Sequence, residues 1–147
     1  TFKKYQMKNS LNKNDFYNFL SETFPQVSNL FKIRKLTPGN VSLEMNINYE
    51  HLRPGNTISG PTMFLLADVS FYLSILSKIG LESLAVTTNC SIDFLRKPSE
   101  KNLYSQNRLL KIGKSLCVGD VLIYSLDLKD PVAHASLTYS IPPKKSF

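Results

Sequence analysis

One apolar helix between two glycines constrains this chain more than any other stretch of its sequence. Pro61 suits the first position of a helix, where a missing N–H costs nothing, which makes Gly60 the predicted N-cap and 61–79 the predicted helix. Gly80 is its predicted end. At 100° per residue, large apolar side chains fall on one side of this helix and small ones on the other. Such a helix is expected to be covered on both sides, by a sheet or by a partner chain.

A single carboxylate, Asp68, lies in the middle of the large apolar side. Carboxylates are almost never fully buried unless they are paired, and an isolated buried one takes up a proton instead. Two interpretations therefore stay open. Asp68 either caps a neighbouring loop or reaches a solvated interface edge, or it is a catalytic base or nucleophile.

The rest of the chain predicts one short helix and six strands. The helix, 12–24, has phenylalanines at helical spacing, Asn14 as its N-cap and Pro25 after its end. The predicted strands are 30–36, 41–49, 84–94, 103–112, 115–128 and 131–141. One antiparallel sheet curled around the central helix would cover both apolar surfaces, so the predicted class is α+β. We expect a single domain over residues 1–147, with residues 1–28 as a helical lead.

The formal net charge of +7 raises the question of an anionic partner. Lysine and arginine are spread along the sequence in runs no longer than two, which indicates a solvated basic surface and no nucleic-acid site. The N-terminus lacks an apolar signal segment and Asp68 interrupts the central helix, so we expect a cytoplasmic protein without a membrane span. Cys90 and Cys117 lie in strand-like segments without a CxxC pattern, which predicts free thiols, no metal and no cofactor.

Four sequence segments carry a resemblance to a known family: HLRPGNTISGPTMFLLAD, SIDFLRKP, GKSL and AHASLTYS. Together with the order of elements they resemble the hot-dog-fold acyl-CoA thioesterases, most closely the phenylacetate-pathway thioesterase branch, over about residues 30 to 141. The resemblance implies that the Gly60 amide polarises the thioester carbonyl and that Asp68 is the general base or nucleophile. Arg53 stands where the family has asparagine, and Ser59 stands where it has histidine.

The spacing of these two residues predicts an assembly. Gly60 and Asp68 are eight residues apart in the sequence, which is about 12 Å of rise along one helix. An oxyanion donor must lie about 3 Å from its oxygen, and a catalytic carboxylate must reach its water. One helix cannot bring both to one carbonyl, so two antiparallel copies are expected in a two-fold homodimer with two sites. We expect the dimers to pair further into a homotetramer.

Several residues are predicted to bind an acyl-CoA substrate. The resemblance implies that Arg96, Lys97 and Lys114, at strand ends, meet the nucleotide, although ordinary surface charge explains them equally well. Arg53 either neutralises an acyl carboxylate or phosphate or pairs with Glu50. The other predicted substrate-binding residues are Asn56, Ser59, Thr62 and Asn89. Ser59 either bonds to the substrate or simply precedes the cap.

A helix N-terminus offers free N–H groups and the positive end of a dipole to a developing oxyanion. The candidate donors are the amides of Gly60, Thr62 and Met63, because Pro61 has no N–H.

Three classes of function follow. The first is an acyl-CoA thioesterase, and the second is a non-catalytic acyl-CoA or acyl-ligand binder on the same fold, favoured by Arg53 and Ser59. The third, a basic nucleic-acid-binding module, lacks clustered aromatic and basic residues. A serine hydrolase built on Ser59 with His51 or His134 is not expected, because TISGP lacks the GxSxG elbow. A hot-dog hydratase ranks low, because the loop before the helix has no Asp–His pair.

Overall fold

The computed structural model describes residues 11–143, which form one antiparallel sheet with a long helix against it. The elements are α1 (Lys13–Thr23), β1 (Phe31–Thr37), β2 (Asn40–Met45), β3 (Leu52–Arg53), β4 (Thr57–Ile58), α2 (Gly60–Ile79), β5 (Val86–Phe94), β6 (Leu103–Ile112), β7 (Leu116–Ser125) and β8 (Ala133–Ser140). The sheet has six strands in the order β1-β2-β6-β7-β8-β5, and a separate two-stranded hairpin pairs β3 with β4. The predicted class, one sheet around one central helix, is confirmed.

Helix α1 begins with a capping box. Asn12 is the N-cap: its side chain accepts from the Asp15 amide, and the Asp15 carboxylate accepts from the Asn12 amide. The prediction of Asn14 as the N-cap was therefore wrong by two residues, since the reciprocal bonds require an acceptor three residues before Asp15. The buried side of α1 consists of Phe16, Phe19 and Leu20.

The chain between β2 and α2 departs from the predicted continuous strand. β2 ends at Met45, and a short 3-10 turn follows over Tyr49–His51, which Asn48 caps by accepting from the Glu50 amide. The hairpin β3–β4 was missed because two-residue strands show no periodicity. In its turn Asn56 has a φ of 56°, in the left-handed region that asparagine tolerates better than most residues.

Helix α2 lies against the sheet, and its small side chains make hydrogen bonds to the β1–β2 hairpin. Ser70 Oγ donates to the Val41 carbonyl at 2.9 Å, and Ser74 Oγ accepts from the Val41 amide at 2.9 Å. One turn on, Ser77 Oγ accepts from the Gly39 amide at 2.8 Å. Three serines at helical spacing thus fix both the rotation and the position of α2.

The side of α2 that carries the large apolar residues is only partly covered. Phe71 is buried against the sheet and Tyr72 is buried beside it, whereas Phe64 near the N-terminus is 37% exposed. By length and composition alone α2 could cross a membrane, with a mean hydropathy of 1.4, but 67% of that window is buried inside the protein. Packing against the sheet accounts for most of its apolar character.

Strand β5 forms one edge of the sheet and contains a bulge. Its pairing with β8 shifts register between Thr87 and Asn89, which turns Thr87 toward α2. The uninterrupted alternation predicted from residue 84 onward was wrong for this reason. Val86 is 54% exposed and Phe94 is 52% exposed at the two ends of the strand.

The packing of Phe71 on α2 against the sheet depends on Gly119 in β7. A Cβ atom at this position would collide with the Arg108 carbonyl oxygen and lie 2.6 Å from Cε2 of Phe71. We expect Gly119→Ala to lower the free energy of unfolding by about 1–3 kcal/mol through overpacking. Urea denaturation measures the change, with Ser136→Ala, an exposed substitution on β8, as the control. Equal stability of both variants would contradict this account of the packing.

Candidate active site

Asp68 is held by two hydroxyl groups on neighbouring strands. Thr87 Oγ1 donates to Asp68 Oδ1 at 2.5 Å, and the Tyr139 hydroxyl donates to the same oxygen at 2.7 Å. The Tyr139 hydroxyl also lies 3.1 Å from the Asp68 carbonyl oxygen. The side chain of Asp68 is half-buried, and these donors offset the cost of its partial desolvation.

Tyr139 is fixed by packing. It is 3% exposed, and its ring lies 5.5 Å from that of Phe71 and 6.1 Å from that of Tyr72, centre to centre. Burial and, secondarily, the negative charge of Asp68 raise the pKa of the Tyr139 phenol far above its usual value, so it stays a protonated donor. Burial also raises the pKa of the Cys90 thiol, and the charge of Asp68 adds to this rise.

A cleft of about 330 Å³ opens beside Asp68. Its lining residues come from the end of α1, from α2, from the loop after α2, from the edge strand β5 and from its neighbour β8: Thr23, Phe24, Asp68, Tyr72, Ser83, Ala85, Val86, Thr87 and Tyr139. The described residues of this lining include no lysine, arginine or histidine. The cleft therefore suits an uncharged group, with one carboxylate in its wall.

At the N-terminus of α2, one backbone amide is left as a donor. The Thr62 amide donates to Ser59 Oγ at 3.3 Å, and the Met63 amide donates to the Ser59 carbonyl at 3.3 Å. Pro61 has no N–H, and within the described chain the Gly60 amide has no acceptor. Of the three amides predicted as oxyanion donors, only that of Gly60 lacks an acceptor among residues 11–143.

Gly60 is flanked by the ring of Phe94. A Cβ atom on Gly60 would lie 3.1 Å from Cζ of Phe94, at the far end of β5 from Thr87. The absence of a side chain thus lets this ring lie over the first turn of α2.

The N-cap of α2 is Ser59, so the prediction of Gly60 as the cap was wrong by one residue. Ser59 Oγ lies 2.7 Å from Thr62 Oγ1 and accepts the Thr62 amide, an acceptor role that glycine lacks. Thr62 is 7% exposed, and its hydroxyl also lies 3.4 Å from the His51 carbonyl oxygen. Both hydroxyls predicted to bind substrate are therefore engaged with the helix cap.

The remaining predicted substrate-binding residues are exposed and dispersed. Arg53 donates to the Pro54 carbonyl at 3.3 Å, and none of the ion pairs within residues 11–143 joins it to Glu50. Asn56 lines a second cleft of about 290 Å³ that does not include Asp68. Asn89 is exposed on β5. A direct role of these residues at Asp68 stays a prediction.

The basic residues lie at opposite ends of the sheet. Arg96 and Lys97 follow β5, and Arg96 donates to the Pro131 carbonyl. Lys114 lies in the β6–β7 turn, at the end where Leu116 pairs with Ser140. Within one chain the structure does not bring Lys114 together with the other two.

The two histidines do not form a triad with Ser59. His51 Nδ1 accepts from the Asn48 amide, and His134 Nε2 lies 3.0 Å from Asp120 Oδ2 on the sheet. Among residues 11–143 no three His, Cys, Asp or Glu side chains are grouped as metal ligands.

Thr87 and Tyr139 were missed in the sequence. The bulge in β5 reverses the side on which Thr87 lies, and no local pattern signals a bulge. Tyr139 follows its strand's alternation as an ordinary core residue, and only its contact with Asp68 distinguishes it.

The model of the thioesterase superfamily matches residues 55–132, more than half of the chain. The chain belongs to the thioesterase superfamily. A Silicibacter structure described as a "putative thioesterase" is 48% identical, with 90% of this chain and 93% of that one covered and a TM-score of 0.83. No curated protein sequence matches the chain.

Two more distant structures share the fold. Zebrafish thioesterase superfamily member 2 is 19% identical, covers 90% of this chain and 100% of its own, and has a TM-score of 0.78. The E. coli PaaI protein from the phenylacetic acid degradation operon is 22% identical, covers 85% and 89%, and has a TM-score of 0.72. The predicted hot-dog fold and the predicted resemblance are thereby confirmed.

The capping role of Ser59 gives a direct prediction. Ser59→Ala removes the acceptor for the Thr62 amide and should lower the free energy of unfolding by about 1 kcal/mol, while Ser59→Asn, a good cap, should restore it. Thermal and urea denaturation measure both variants. Unchanged stability of Ser59→Ala would contradict the capping role and leave Ser59 free for a substrate.

Proposed function

We propose that this thioesterase-superfamily protein is an acyl-CoA thioesterase, which hydrolyses a thioester to free CoA and a carboxylic acid. Superfamily membership supports thioester hydrolysis in general. The single observation that carries the finer proposal is a half-buried carboxylate, Asp68, oriented by two hydroxyl donors in the wall of a cleft. Catalytic carboxylates are typically set in such partly desolvated, hydrogen-bonded positions.

The reaction needs an electrophile activator and a base or nucleophile. The free Gly60 amide at the positive end of α2 can donate to the thioester oxygen as negative charge develops there. Asp68 either takes a proton from water, whose oxygen then bonds to the carbonyl carbon, or itself bonds to that carbon. In the first case the carbon–sulfur bond breaks, the thiolate of CoA leaves, and the proton that Asp68 took from water passes to the thiolate through solvent. In the second case the carbon–sulfur bond breaks and the acyl group stays on Asp68 as an anhydride, while the thiolate takes a proton from solvent. Water then hydrolyses this anhydride, which releases the carboxylic acid and restores the Asp68 carboxylate.

Both groups must come from different copies of the chain. Gly60 and Asp68 lie about 12 Å apart along α2, and each touches a different end of β5: Gly60 contacts Phe94, and Asp68 contacts Thr87. The second long side of β5 has no partner strand among the described residues. A second β5 pairing antiparallel along that side would bring the Phe94 end of one copy to the Thr87 end of the other.

The same pairing would also cover the exposed edge of β5 and bring the separated basic residues together. The exposed ends of β5, Val86 and Phe94, would be covered, and so would an open strand edge. Lys114 of one copy would approach the Arg96 and Lys97 of the other, because these residues lie at opposite ends of each sheet. The phosphates of CoA would meet those cations, and the acyl group would occupy the cation-free cleft at Asp68.

A homotetramer and a cytoplasmic location stay predictions. The alternative function, a non-catalytic acyl-CoA or acyl-ligand binder, is favoured by Arg53 and Ser59, because Ser59 serves the helix cap here. The first experiment below separates it from the thioesterase.

Asp68→Asn keeps the shape of the side chain and removes its charge. We expect free-thiol release from acyl-CoAs to fall by about 10²–10⁴-fold, as for the loss of a general base. Asp130→Asn, an exposed carboxylate after β7, is the control and should keep wild-type rates. No release by the wild-type chain across short, long and aromatic acyl-CoAs, with binding retained in Asp68→Asn, would establish the binder instead.

A complementation experiment tests the shared site. Gly60→Pro removes the candidate amide donor, and Ser59 already has the extended backbone, with ψ of 152°, that a following proline requires. Gly60→Ala keeps that amide and is the matched control. Asp68→Asn and Gly60→Pro should each be inactive, whereas a refolded equimolar mixture should regain about one quarter of the wild-type sites.

This regain requires that each site combine Gly60 of one copy with Asp68 of the other. If both variants fold, dimerise and are inactive alone, and the mixture also stays inactive, both residues act within one chain. Activity of Gly60→Pro alone would instead mean that the Gly60 amide has no role. Analytical ultracentrifugation of each variant checks that dimers form.

A further inference from the structure

We propose that Tyr139 is a positioning residue: together with Thr87 it holds Oδ1 of Asp68, so that the reaction takes place at Oδ2. This inference rests on the proposed catalytic role of Asp68. Tyr139 touches neither water nor thioester in this role, and it acts only through the carboxylate.

The two carboxylate oxygens of Asp68 differ in their surroundings. Oδ1 accepts from both Thr87 and Tyr139, at 2.5 and 2.7 Å. Oδ2 accepts no hydrogen bond from any of residues 11–143. It is also not a buried atom, because the one buried side-chain polar atom without a partner in this part of the chain is Oδ1 of Asn107. Oδ2 is therefore accessible at the cleft, with its lone pairs free to take a proton or to bond to carbon.

The pairing of two strands sets the positions of the two hydroxyl donors. Thr87 on β5 and Tyr139 on β8 are paired cross-strand neighbours, so their side chains leave the same face of the sheet side by side. The spacing of the two hydroxyl groups is therefore set by the sheet and does not depend on a loop. Asp68 on the facing helix completes the contact.

Tyr139 restricts the position of the Asp68 side chain more strongly than a single hydrogen bond to that side chain would. Its hydroxyl lies 2.7 Å from Oδ1 and 3.1 Å from the carbonyl oxygen of the same residue, so it ties together the side chain and the helix backbone. The ring that carries this hydroxyl is buried and packed against Phe71 and Tyr72. A shift of Oδ1 would thus require a shift of a close-packed aromatic cluster.

The Tyr139 hydroxyl keeps its proton and therefore acts as a donor. Burial and the charge of Asp68 raise the pKa of Tyr139 well above the ordinary phenol value, so its proton is retained. A donor to the charged carboxylate stabilises that form relative to the protonated one.

The test is Tyr139→Phe, which removes the hydroxyl and keeps the ring. We expect kcat to fall about 10-fold with little change in KM, as for the loss of a hydrogen bond to a charged group. Since the lost bond favoured the charged carboxylate, the acidic limb of the kcat–pH profile should move to higher pH. A purely structural role of Tyr139 would not move that limb.

The matched control is Tyr17→Phe. Tyr17 also uses its hydroxyl in one hydrogen bond, accepting from the Ile33 amide at 2.7 Å, but it lies on α1 away from Asp68. This variant should lose similar stability and keep the wild-type kcat and pH profile.

A second variant covers the case in which Tyr139→Phe does not fold. Thr87→Val removes the other donor to Oδ1 and should show the same loss of kcat and the same pH shift, and Thr87→Ser should restore both. Wild-type kcat and pH profile in folded Tyr139→Phe, or in Thr87→Val if the former does not fold, would overturn the inference.

The outcomes also separate this inference from the proposed function. Retained hydrolysis in Asp68→Asn would refute the catalytic role of Asp68 and with it the inference. Hydrolysis lost in Asp68→Asn but unaffected in Tyr139→Phe would refute only the positioning role.

Discussion

The hydrogen bonds between the serines of α2 and the β1–β2 hairpin are the constraint on which the rest of the structure depends. Ser70 donates to the carbonyl of Val41 and Ser74 accepts from its amide, and these two bonds fix how α2 is rotated about its axis. A change of one residue in this register would rotate each side chain by about 100°. Asp68 would then leave Tyr139 and Thr87, and the cleft would lose its carboxylate. The small-residue side of the helix, which contributes little apolar area, thus determines where the reactive side chain lies.

A carboxylate between a helix and a sheet requires compensation for lost hydration. In Asp68, two hydroxyl groups from adjacent strands donate hydrogen bonds to one carboxylate oxygen and leave the other oxygen accessible. The compensation is therefore asymmetric, which distinguishes a site that can react from a carboxylate that is fully satisfied by its neighbours. The Arg108–Asp120–His134 group on the sheet is an example of the second kind, since both Asp120 oxygens there accept from charged or imidazole nitrogen partners.

Strand β5 connects the two halves of the proposed site. Thr87 near its start contacts Asp68, and Phe94 at its end covers Gly60. Because β5 is also the sheet edge, its free side is where a second copy would have to pair for the proposed dimer to form. The position of one strand therefore links the proposed chemistry with the proposed assembly.

The sequence by itself determined the central helix, its end at Gly80, the six main strands and Asp68 as an unusual carboxylate, because hydrophobic period and glycine or proline signals act over a few residues. The boundaries differed from the prediction: Ser59 rather than Gly60 caps α2, since capping depends on which side chain reaches a free amide. Only the tertiary structure decided that the amides of Thr62 and Met63 are already occupied and that Thr87 and Tyr139 meet at Asp68. A bulge in β5 and a contact across 71 residues of sequence are set by strand pairing and packing, which no local pattern encodes.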